Sequence, residues 1–304
     1  MEQNATLTKD KKGAINASTF SQKIHSYLKH PFSLLVWIIT ILAALLTVAS
    51  FVYLVLYILI KGVPYLRPEL FSWTYDSNNV SMLPSIINTF LLTALSLVIS
   101  VPLGIFAAIY MVEYAKKGNR MVKFIRVTAE TLSGIPSIVY GLFGMIFFVG
   151  VLKMQLSLLS GSLTVAIMVL PTIMRTTEEA LLSVPQSYRE GSFGLGAGKL
   201  RTVFRIVLPS AVPGILSGVI LATGRIVGET AALIYTAGTM AKVPNNLFAS
   251  ARTLSVHMYL LSNEGLHTNE AFATAVVLLV FVMLINMLAN FVARRLSAKN
   301  AEND

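Results

Sequence analysis

Arg225 and Glu229 stand four residues apart in the stretch GVILATGRIVGETAALIYTAG, with apolar residues on both sides. A guanidinium carries a permanent charge and a planar set of donors, so it suits a carboxylate or an oxyanion. In a continuous helix both side chains would share a face, although Arg before Glu is the weaker order for such a pair. Arg225 is therefore a candidate for binding an anion, with Glu229 as a countercharge on the substrate path, and a neutralised pair at the edge of an apolar segment is the alternative interpretation.

The composition indicates that most of this chain lies in lipid. Of its 304 residues, 55% are hydrophobic and only 12% are charged, whereas a soluble domain carries roughly a quarter charged residues. The sequence contains no cysteine, HExxH or GxSxG, so an intramembrane protease or lipid-modifying transferase is not supported. His257 and His267 lack ligand-like spacing, and no metal site or cofactor is expected. The composition predicts an all-α polytopic membrane protein.

Six charge-free runs reach the length of about 18 residues that a membrane-spanning helix needs. The run Thr230–Ala241 is too short to span, and it is predicted to be a re-entrant or extracytoplasmic segment. The short link at Lys153 predicts that the third and fourth spans form a hairpin. The predicted spans are Phe32–Ile60, Leu83–Val112, Thr131–Leu152, Met154–Met174, Ile206–Gly224 and Ala271–Ala293.

The positions of Lys and Arg predict the orientation. With the N-terminus inside, the cytoplasmic segments hold 18 of the 24 Lys and Arg residues. Both termini are therefore predicted to be cytoplasmic, and the net charge of +10 is a topology signal rather than a nucleic-acid-binding patch. The predicted organisation is a tail at 1–31, a first transmembrane helix at 32–61, a membrane core at 80–295 and a tail at 296–304.

A hydrophilic segment, VPQSYREGSFGLGAGKLRTVFRIVLPSA, carries the most specific motif. It fails the phosphate-binding loop pattern, because Phe193 stands where glycine is needed and Leu200 where Ser or Thr is needed. It resembles the EAA loop of ABC-importer permeases, EAA-x3-G-x9-I-x-LP, at every spacing, with two alanines replaced by other small residues. Within the loop, residues 184–209, the motif positions are Glu190, Gly191, Ser192, Gly196, Ile206, Leu208 and Pro209, preceded by Arg189.

The resemblance implies a coupling role for this loop. A short helix around Arg189–Lys199 would lie parallel to the membrane in a cleft of a separate ATPase subunit. Its small residues would permit close approach, while Arg189 and Glu190 would provide polar anchoring. Pro209 would let the chain turn into the next span.

Five further stretches resemble the PstA-type permeases of bacterial phosphate (Pst) transporters. This resemblance covers about residues 80–295 and implies an ABC type I importer permease, a non-enzymatic multi-pass subunit of the bacterial cytoplasmic (inner) membrane. It implies a PstC-like partner permease, two ATPase copies and a soluble or lipid-anchored phosphate-binding protein. An importer of another oxyanion, such as phosphonate, molybdate or sulfate, is the alternative. The stretches are Asn88–Ala115, Leu132–Gly144, Leu170–Leu181, Gly224–Leu233 and Thr253–Leu261.

In such a permease, Arg225 would line the substrate path and contact phosphate. Glu229 would hold a cation, either Arg225 or one from the partner subunit, until phosphate arrives. Arg175, which ends the fourth predicted span, is either an interface anchor or an anion contact near the inner exit. Arg126 and Glu130 are interpreted as boundary charges.

Overall fold

The computed structural model describes residues 31–116 and 118–301. The predicted N-terminal tail lies outside this part of the chain apart from Pro31, and residues 302–304 of the C-terminal tail also lie outside it. The described residues form helices and loops, with no strand among them. Their contacts divide the chain into one unit that ends at Tyr57 and a second that begins at Ile58.

Helix α1, Pro31–Gly62, confirms the first predicted span. The absence of charge and proline from Phe32 to Ile60 lets a single helix run through the whole stretch. The hydroxyl groups of Thr40 and Thr47 each donate to the carbonyl four residues earlier, at 2.8 Å. These hydroxyls are thereby satisfied within the helix, as a lipid environment requires.

Four long helices form the bundle of the second unit. They are α2 (Leu83–Ile109), α5 (Leu158–Ser183), α8 (Leu208–Val227) and α11 (Thr268–Ala301). Helix α5 packs against both α2 and α8, and α8 also packs against α11. The core around α5 is aliphatic, with Met168, Val169, Ile173 and Ile226 buried together.

Small residues set the register of these helices. A Cβ on Gly104 of α2 would lie 2.8 Å from the Ile173 side chain of α5, so glycine is needed for this close approach. On the other side of α5, Gly218 and Gly214 of α8 lie against Thr176 and Ala180. Because Gly218 lies opposite the earlier of these two α5 residues, α5 and α8 run antiparallel.

The third predicted span, Thr131–Leu152, is not one straight helix. Helix α3, Arg120–Ser133, ends before Pro136, and α4, Ser137–Gly144, continues as a wider π-helical segment to Val151. The two parts are bent by 104°. Proline has no backbone N–H and disfavours helical geometry in the residue before it, which breaks the helix there. Counting this bent pair as one span gives the predicted six.

The fourth and fifth predicted spans are longer helices than their charge-free runs. Helix α5 begins at Leu158, after a link with positive φ at Lys153 and Gln155, and continues nine residues beyond Met174 to Ser183. Helix α7, Lys199–Thr202, continues through a π-helical segment, Val203–Val207, into α8. The link predicted at Lys153 is longer in the structure and covers residues 152–157. Both helices continue through charged residues that lie outside the charge-free runs.

The segment after α8 folds back into the unit and does not span. Helix α9 is a single turn, Ala231–Ile234. Its Ala232 lies against Gly141 of α4: a Cβ added to Gly141 would be 2.7 Å from the Cα atom of Ala232. An irregular stretch then leads to α10, Leu254–Glu264, whose first turn is capped by the Thr253 hydroxyl. The interior position of α9 accords with the short length of the run Thr230–Ala241.

Candidate functional site

Arg225 lies half-buried in the last turn of α8. Its guanidinium is close enough to the Tyr140 hydroxyl of α4 for an electrostatic interaction, and that hydroxyl donates to the carbonyl of Leu132 at 2.7 Å. No hydrogen bond or ion pair joins Arg225 to any residue that the structure describes. A cation in this setting is available to a ligand or to another subunit.

Glu229 does not pair with Arg225, so the pairing predicted from a continuous helix is wrong. Helix α8 ends at Val227, which takes Glu229 off the face that carries Arg225. The Glu229 Oε1 atom instead accepts from the backbone N–H of Ala232 at 3.0 Å, and its carbonyl accepts from the Ser255 hydroxyl at 2.5 Å. Glu229 is 8% exposed and holds the turn between α8 and α9.

The sequence predicted that Arg175 ends the fourth span. In the structure Arg175 lies within α5, because this helix continues to Ser183. It pairs with Glu179 at 3.0 Å, and both side chains are about two-thirds exposed, at 66% and 63%. Arg175 is thus held only by a solvent-screened pair.

A charged cleft of about 550 Å³ surrounds Arg175 between α3 and α5. Arg126 of α3 forms an ion pair with Glu178 of α5 at 2.5 Å. Besides its predicted role as a boundary charge, Arg126 therefore links α3 to α5 across the cleft. Hydroxyl groups and aliphatic residues complete the wall. The lining residues are Arg126, Ala129, Glu130, Ser133, Pro171, Thr172, Met174, Arg175, Thr176, Glu178, Glu179 and Leu182.

Arg175 and Arg225 lie at different heights in the bundle. The antiparallel register of α5 and α8, fixed by Gly218 opposite Thr176, brings Arg225 level with Val169. At 1.5 Å per residue, Arg225 is roughly 9 Å along the axis from Arg175. Arg175 is nearer the end that carries the EAA loop, and Arg225 does not line the charged cleft.

The EAA loop forms α6, Gln186–Gly194, which begins three residues before the predicted helix and ends five residues before its predicted end. Gly196 ends it, with φ of +80°, a left-handed conformation that glycine adopts without strain. Its N–H donates to the Phe193 carbonyl at 2.9 Å, and the Ala197 N–H donates to the Ser192 carbonyl at 3.1 Å. This is a Schellman motif, which satisfies the last helical carbonyls.

The motif residues of the EAA loop separate into an outer and an inner set. Glu190, Gly191 and Gly196 are exposed, and a Cβ added at either glycine would meet no atom within 4 Å. Ser192 is buried, 2.8 Å from the Thr202 hydroxyl. Ile206, Leu208 and Pro209 are partly buried at the start of the span.

Arg189 belongs to the inner set, although the resemblance to the EAA loop predicted that it contacts the ATPase. Its Nε and Nη2 atoms donate to Glu113 Oε1 at 3.0 and 2.7 Å. Nη1 donates to the carbonyl of Val184 and Nη2 to that of Leu181, both at 2.9 Å. Glu113, at the end of α2, was not among the sequence candidates, since nothing in its sequence context points to a partner 76 residues away.

His257 is enclosed at the opposite end of the bundle. Its ring meets Tyr75 edge-on with centroids 6.0 Å apart, and Arg252 Nη1 lies 3.3 Å from its Nδ1 atom. Burial first, and then the charge of Arg252, lower the pKa of His257 to about 4. The imidazole is therefore neutral at neutral pH and packs with Tyr75 and Arg252.

The fold is shared with chains of solved ABC transporters. A bacterial transporter that imports the acidic polysaccharide alginate superposes with a TM-score of 0.62 at 18% identity, over 90% of this chain and 99% of that one. An inward-facing MetNI methionine transporter gives 0.55 at 20% identity, over 71% and 94% of the two chains. The fold and the EAA loop thus define the class, an ABC-importer permease.

The sequence comparisons identify the family. Residues 100–301 match the family described as binding-protein-dependent transport system inner membrane component, and the chain belongs to this family. It is therefore a multi-pass membrane subunit of an importer that also includes an ATPase and a binding protein. Its family consists of transporter permeases, with ATP hydrolysis in a separate subunit, and not of enzymes.

Relatives extend the match over most of the chain. The chain is 34% identical to the probable ABC transporter permease protein YqgI of Bacillus subtilis, over 86% of this chain and 95% of that protein. It is 35% identical to the phosphate transport system permease protein PstA 1 of Mycobacterium tuberculosis, over 65% and 66% of the two chains. The phosphate transport system permease protein PstC of Mesorhizobium japonicum is 29% identical, over 78% and 80%.

Proposed function

We propose that this chain is the PstA-type permease of an ATP-driven phosphate importer and forms half of the translocation path. The observation that carries the proposal is Arg225, a half-buried cation at an apolar helix end without a hydrogen-bond or ion-pair partner among the described residues. The similarity to proteins named as phosphate transport permeases supports phosphate as the substrate. A PstC-like permease would supply the other half of the path.

The chemistry of Arg225 suits a dehydrating oxyanion. An arginine in a membrane span costs about 2.5–3.5 kcal/mol on insertion scales, so it normally faces a cavity or a partner. Phosphate must lose water as it passes, and a guanidinium replaces that water with planar charge-assisted donors. Glu229 would serve this contact indirectly, by holding the turn that follows Arg225.

Arg175 is assigned as a second anion contact, nearer the EAA-loop end. Its exposed pair with Glu179 is screened by solvent, and such pairs are weak. A phosphate that enters the charged cleft can therefore exchange with the Glu179 carboxylate at Arg175. The axial offset of roughly 9 Å along α5 and α8 would give the anion two successive arginine contacts on its way in.

The EAA loop is assigned as the contact with the ATPase. Glu190, Gly191 and Gly196 form an open, small-residue surface, with the largely exposed Leu195 beside it. With both termini cytoplasmic, as the Lys and Arg distribution favours, this surface faces the cytoplasm. Two ATPase copies would then serve the two permeases, and the phosphate-binding protein would dock on the opposite side.

Uptake of labelled phosphate by a strain lacking this gene, with and without the restored gene, tests the proposal. We expect restoration to recover uptake, and excess sulfate, molybdate or phosphonate to leave it nearly unchanged. Recovery of sulfate or molybdate uptake instead would assign the alternative oxyanion. Unchanged phosphate uptake after restoration, with the complex assembled in the membrane, would contradict the proposal.

A further inference from the structure

We propose that Glu113 is a positioning residue for energy coupling: by binding Arg189 it joins the EAA-loop helix α6 to the membrane helix α2, so that the two move together. This inference rests on the proposed function, since coupling has meaning only in an ATP-driven importer. It assigns Arg189 to the transmission of movement within the permease and leaves the ATPase contact to the exposed residues of the loop.

The contacts of Arg189 join three parts of the chain. The side chain starts on α6, donates two hydrogen bonds to Glu113 at the end of α2, and donates to the Leu181 and Val184 carbonyls at the end of α5. All three guanidinium nitrogens are used. A planar guanidinium can hold these directions at once, whereas an ammonium group cannot.

Burial makes the pair sensitive to the loss of either charge. The side chains of Arg189 and Glu113 are 10% and 8% exposed. Removing one partner of such a pair leaves an uncompensated charge away from water, which is far more costly than losing an exposed pair. Loss of Glu113 would therefore displace Arg189 and, with it, α6.

Glu113 lies in a widened turn where α2 ends. Residues Tyr110–Tyr114 form a π-helical segment, closed by the Ala115 N–H donating to the Tyr110 carbonyl at 2.9 Å. Such turns within helices are uncommon and recur at functional sites. Around the pair, Met111, Val184 and Val203 are buried in one cluster, so apolar packing supports the charged joint.

The other end of α2 is also fastened to distant chain. Asn88 donates to the carbonyls of Lys242 and Arg252 at 2.9 and 3.1 Å, and the Thr89 hydroxyl accepts from the Leu254 N–H at 2.8 Å. Helix α2 therefore connects the EAA loop with the segment at the opposite end, where the binding protein would dock. Movement of α6 through Glu113 would reach that segment along one continuous helix.

The test compares four variants in the assembled complex: Glu113→Gln, Glu113→Asp, Arg189→Lys and the control Lys123→Gln. The control removes an exposed charge of α3 that lies outside the Arg189–Glu113 pair, the charged cleft and the EAA loop. ATP hydrolysis is measured with and without the phosphate-loaded binding protein, together with phosphate taken up per ATP. We expect Glu113→Gln to keep basal hydrolysis and to reduce stimulation by roughly 5- to 150-fold, the usual range of coupling between sites.

The conservative variants separate a coupling role from a general effect on folding, because each should change the stimulation of ATP hydrolysis by a different amount. Glu113→Asp keeps the charge but retracts it by one methylene, so stimulation should lie between those of the parent and Glu113→Gln. Arg189→Lys keeps the charge but loses the planar donors, so it should resemble Glu113→Gln. The control should match the parent in stimulation and in uptake per ATP.

Two results would overturn the proposal. Parent-like stimulation in an assembled Glu113→Gln complex would show that the pair transmits nothing. Loss of the ATPase from a correctly inserted permease would show that the pair only shapes the docking surface. If Glu113→Gln does not accumulate, the same two outcomes are judged on Glu113→Asp.

Stimulation of the parent complex by another oxyanion would instead refute the phosphate assignment. The variants would then be compared for ATP hydrolysis stimulated by that anion.

Discussion

Arg189 and Arg225 show two different ways in which this permease uses a buried or half-buried arginine. Arg189 makes four hydrogen bonds, two to a carboxylate and two to backbone carbonyls. Arg225 has no hydrogen-bond or ion-pair partner among the described residues. A guanidinium has five N–H donors, so Arg189 keeps at most one for a ligand, whereas Arg225 retains its full capacity to bind an anion.

The number of hydrogen-bond partners distinguishes the structural role of Arg189 from the transport role of Arg225, which the sequence context of the two residues does not. Both arginines stand one or four residues from a glutamate along the chain, Glu190 and Glu229 respectively. Neither pairs with that neighbour in the structure. The partner of Arg189 comes from a distant helix, and the neighbour of Arg225 turns away to hold α9. Charge spacing along the sequence is thus a poor guide to pairing where helices end.

The largest effect is expected from Arg225→Gln. Glutamine keeps some hydrogen bonding but loses the charge, and a hydrogen bond to a charged group contributes about 1.5–3 kcal/mol, or roughly 10- to 150-fold in transport. Arg225→Lys should recover little, because an ammonium lacks the planar donor pair. Phosphate uptake is measured in membranes with equal amounts of assembled complex. Parent-like uptake by Arg225→Gln would make Arg225 a boundary charge.

Gly196→Trp should uncouple the complex almost as strongly, through the exposed part of the EAA loop. The structure adds a second cause to the predicted loss of close approach, because φ is +80° at Gly196 and a residue with a Cβ is strained there by roughly 1–2 kcal/mol. Asparagine tolerates this conformation better than most residues, so Gly196→Asn separates strain from bulk.

The measurement for Gly196 is the amount of ATPase that co-purifies with the inserted permease. We expect a large loss for Gly196→Trp and a small one for Gly196→Asn. Equal losses for the two variants would attribute the effect to the backbone alone. Full co-purification and normal phosphate-stimulated hydrolysis with Gly196→Trp would contradict the assignment of this surface to the ATPase contact.

Much of the fold follows from the sequence, and its departures have physical causes. Charge-free runs predicted the spans because lipid excludes charge, and the EAA spacing predicted a short helix in the cytoplasmic loop. Pro136 within the run Thr131–Leu152 signals a break but not its angle, so the 104° bend before α4 was not predicted. Glu113 could not be predicted because its partner is brought to it only by tertiary packing.

A moderate effect is expected from Arg175→Gln, smaller than that of Arg225→Gln. Arg175 is exposed and already shares its charge with Glu179, so water and neighbouring side chains can replace part of its contact with the anion. We expect a few-fold loss of uptake by the scale of exposed ion pairs. Glu179→Gln frees Arg175 and should instead retain phosphate in the cleft, which is measured as stronger inhibition by internal phosphate. Equal uptake by Arg175→Gln and the parent would leave Arg175 as an interface anchor.

The smallest effect is expected from Glu229→Gln, and it tests the comparison most directly. The amide oxygen of glutamine can still accept from the Ala232 N–H, so only the charge assistance of one hydrogen bond in the turn is lost and no contact with phosphate is removed. If Glu229 and Arg225 act separately, the double variant with Arg225→Gln should show the sum of the two single losses in log uptake. If they exchange charge during transport, the double variant should recover uptake relative to Arg225→Gln alone. Because Glu229 is directed to the backbone of α9 and not to the guanidinium, we expect additive losses. Recovery of uptake in the double variant would instead support the pairing of Glu229 with Arg225 that the sequence predicted.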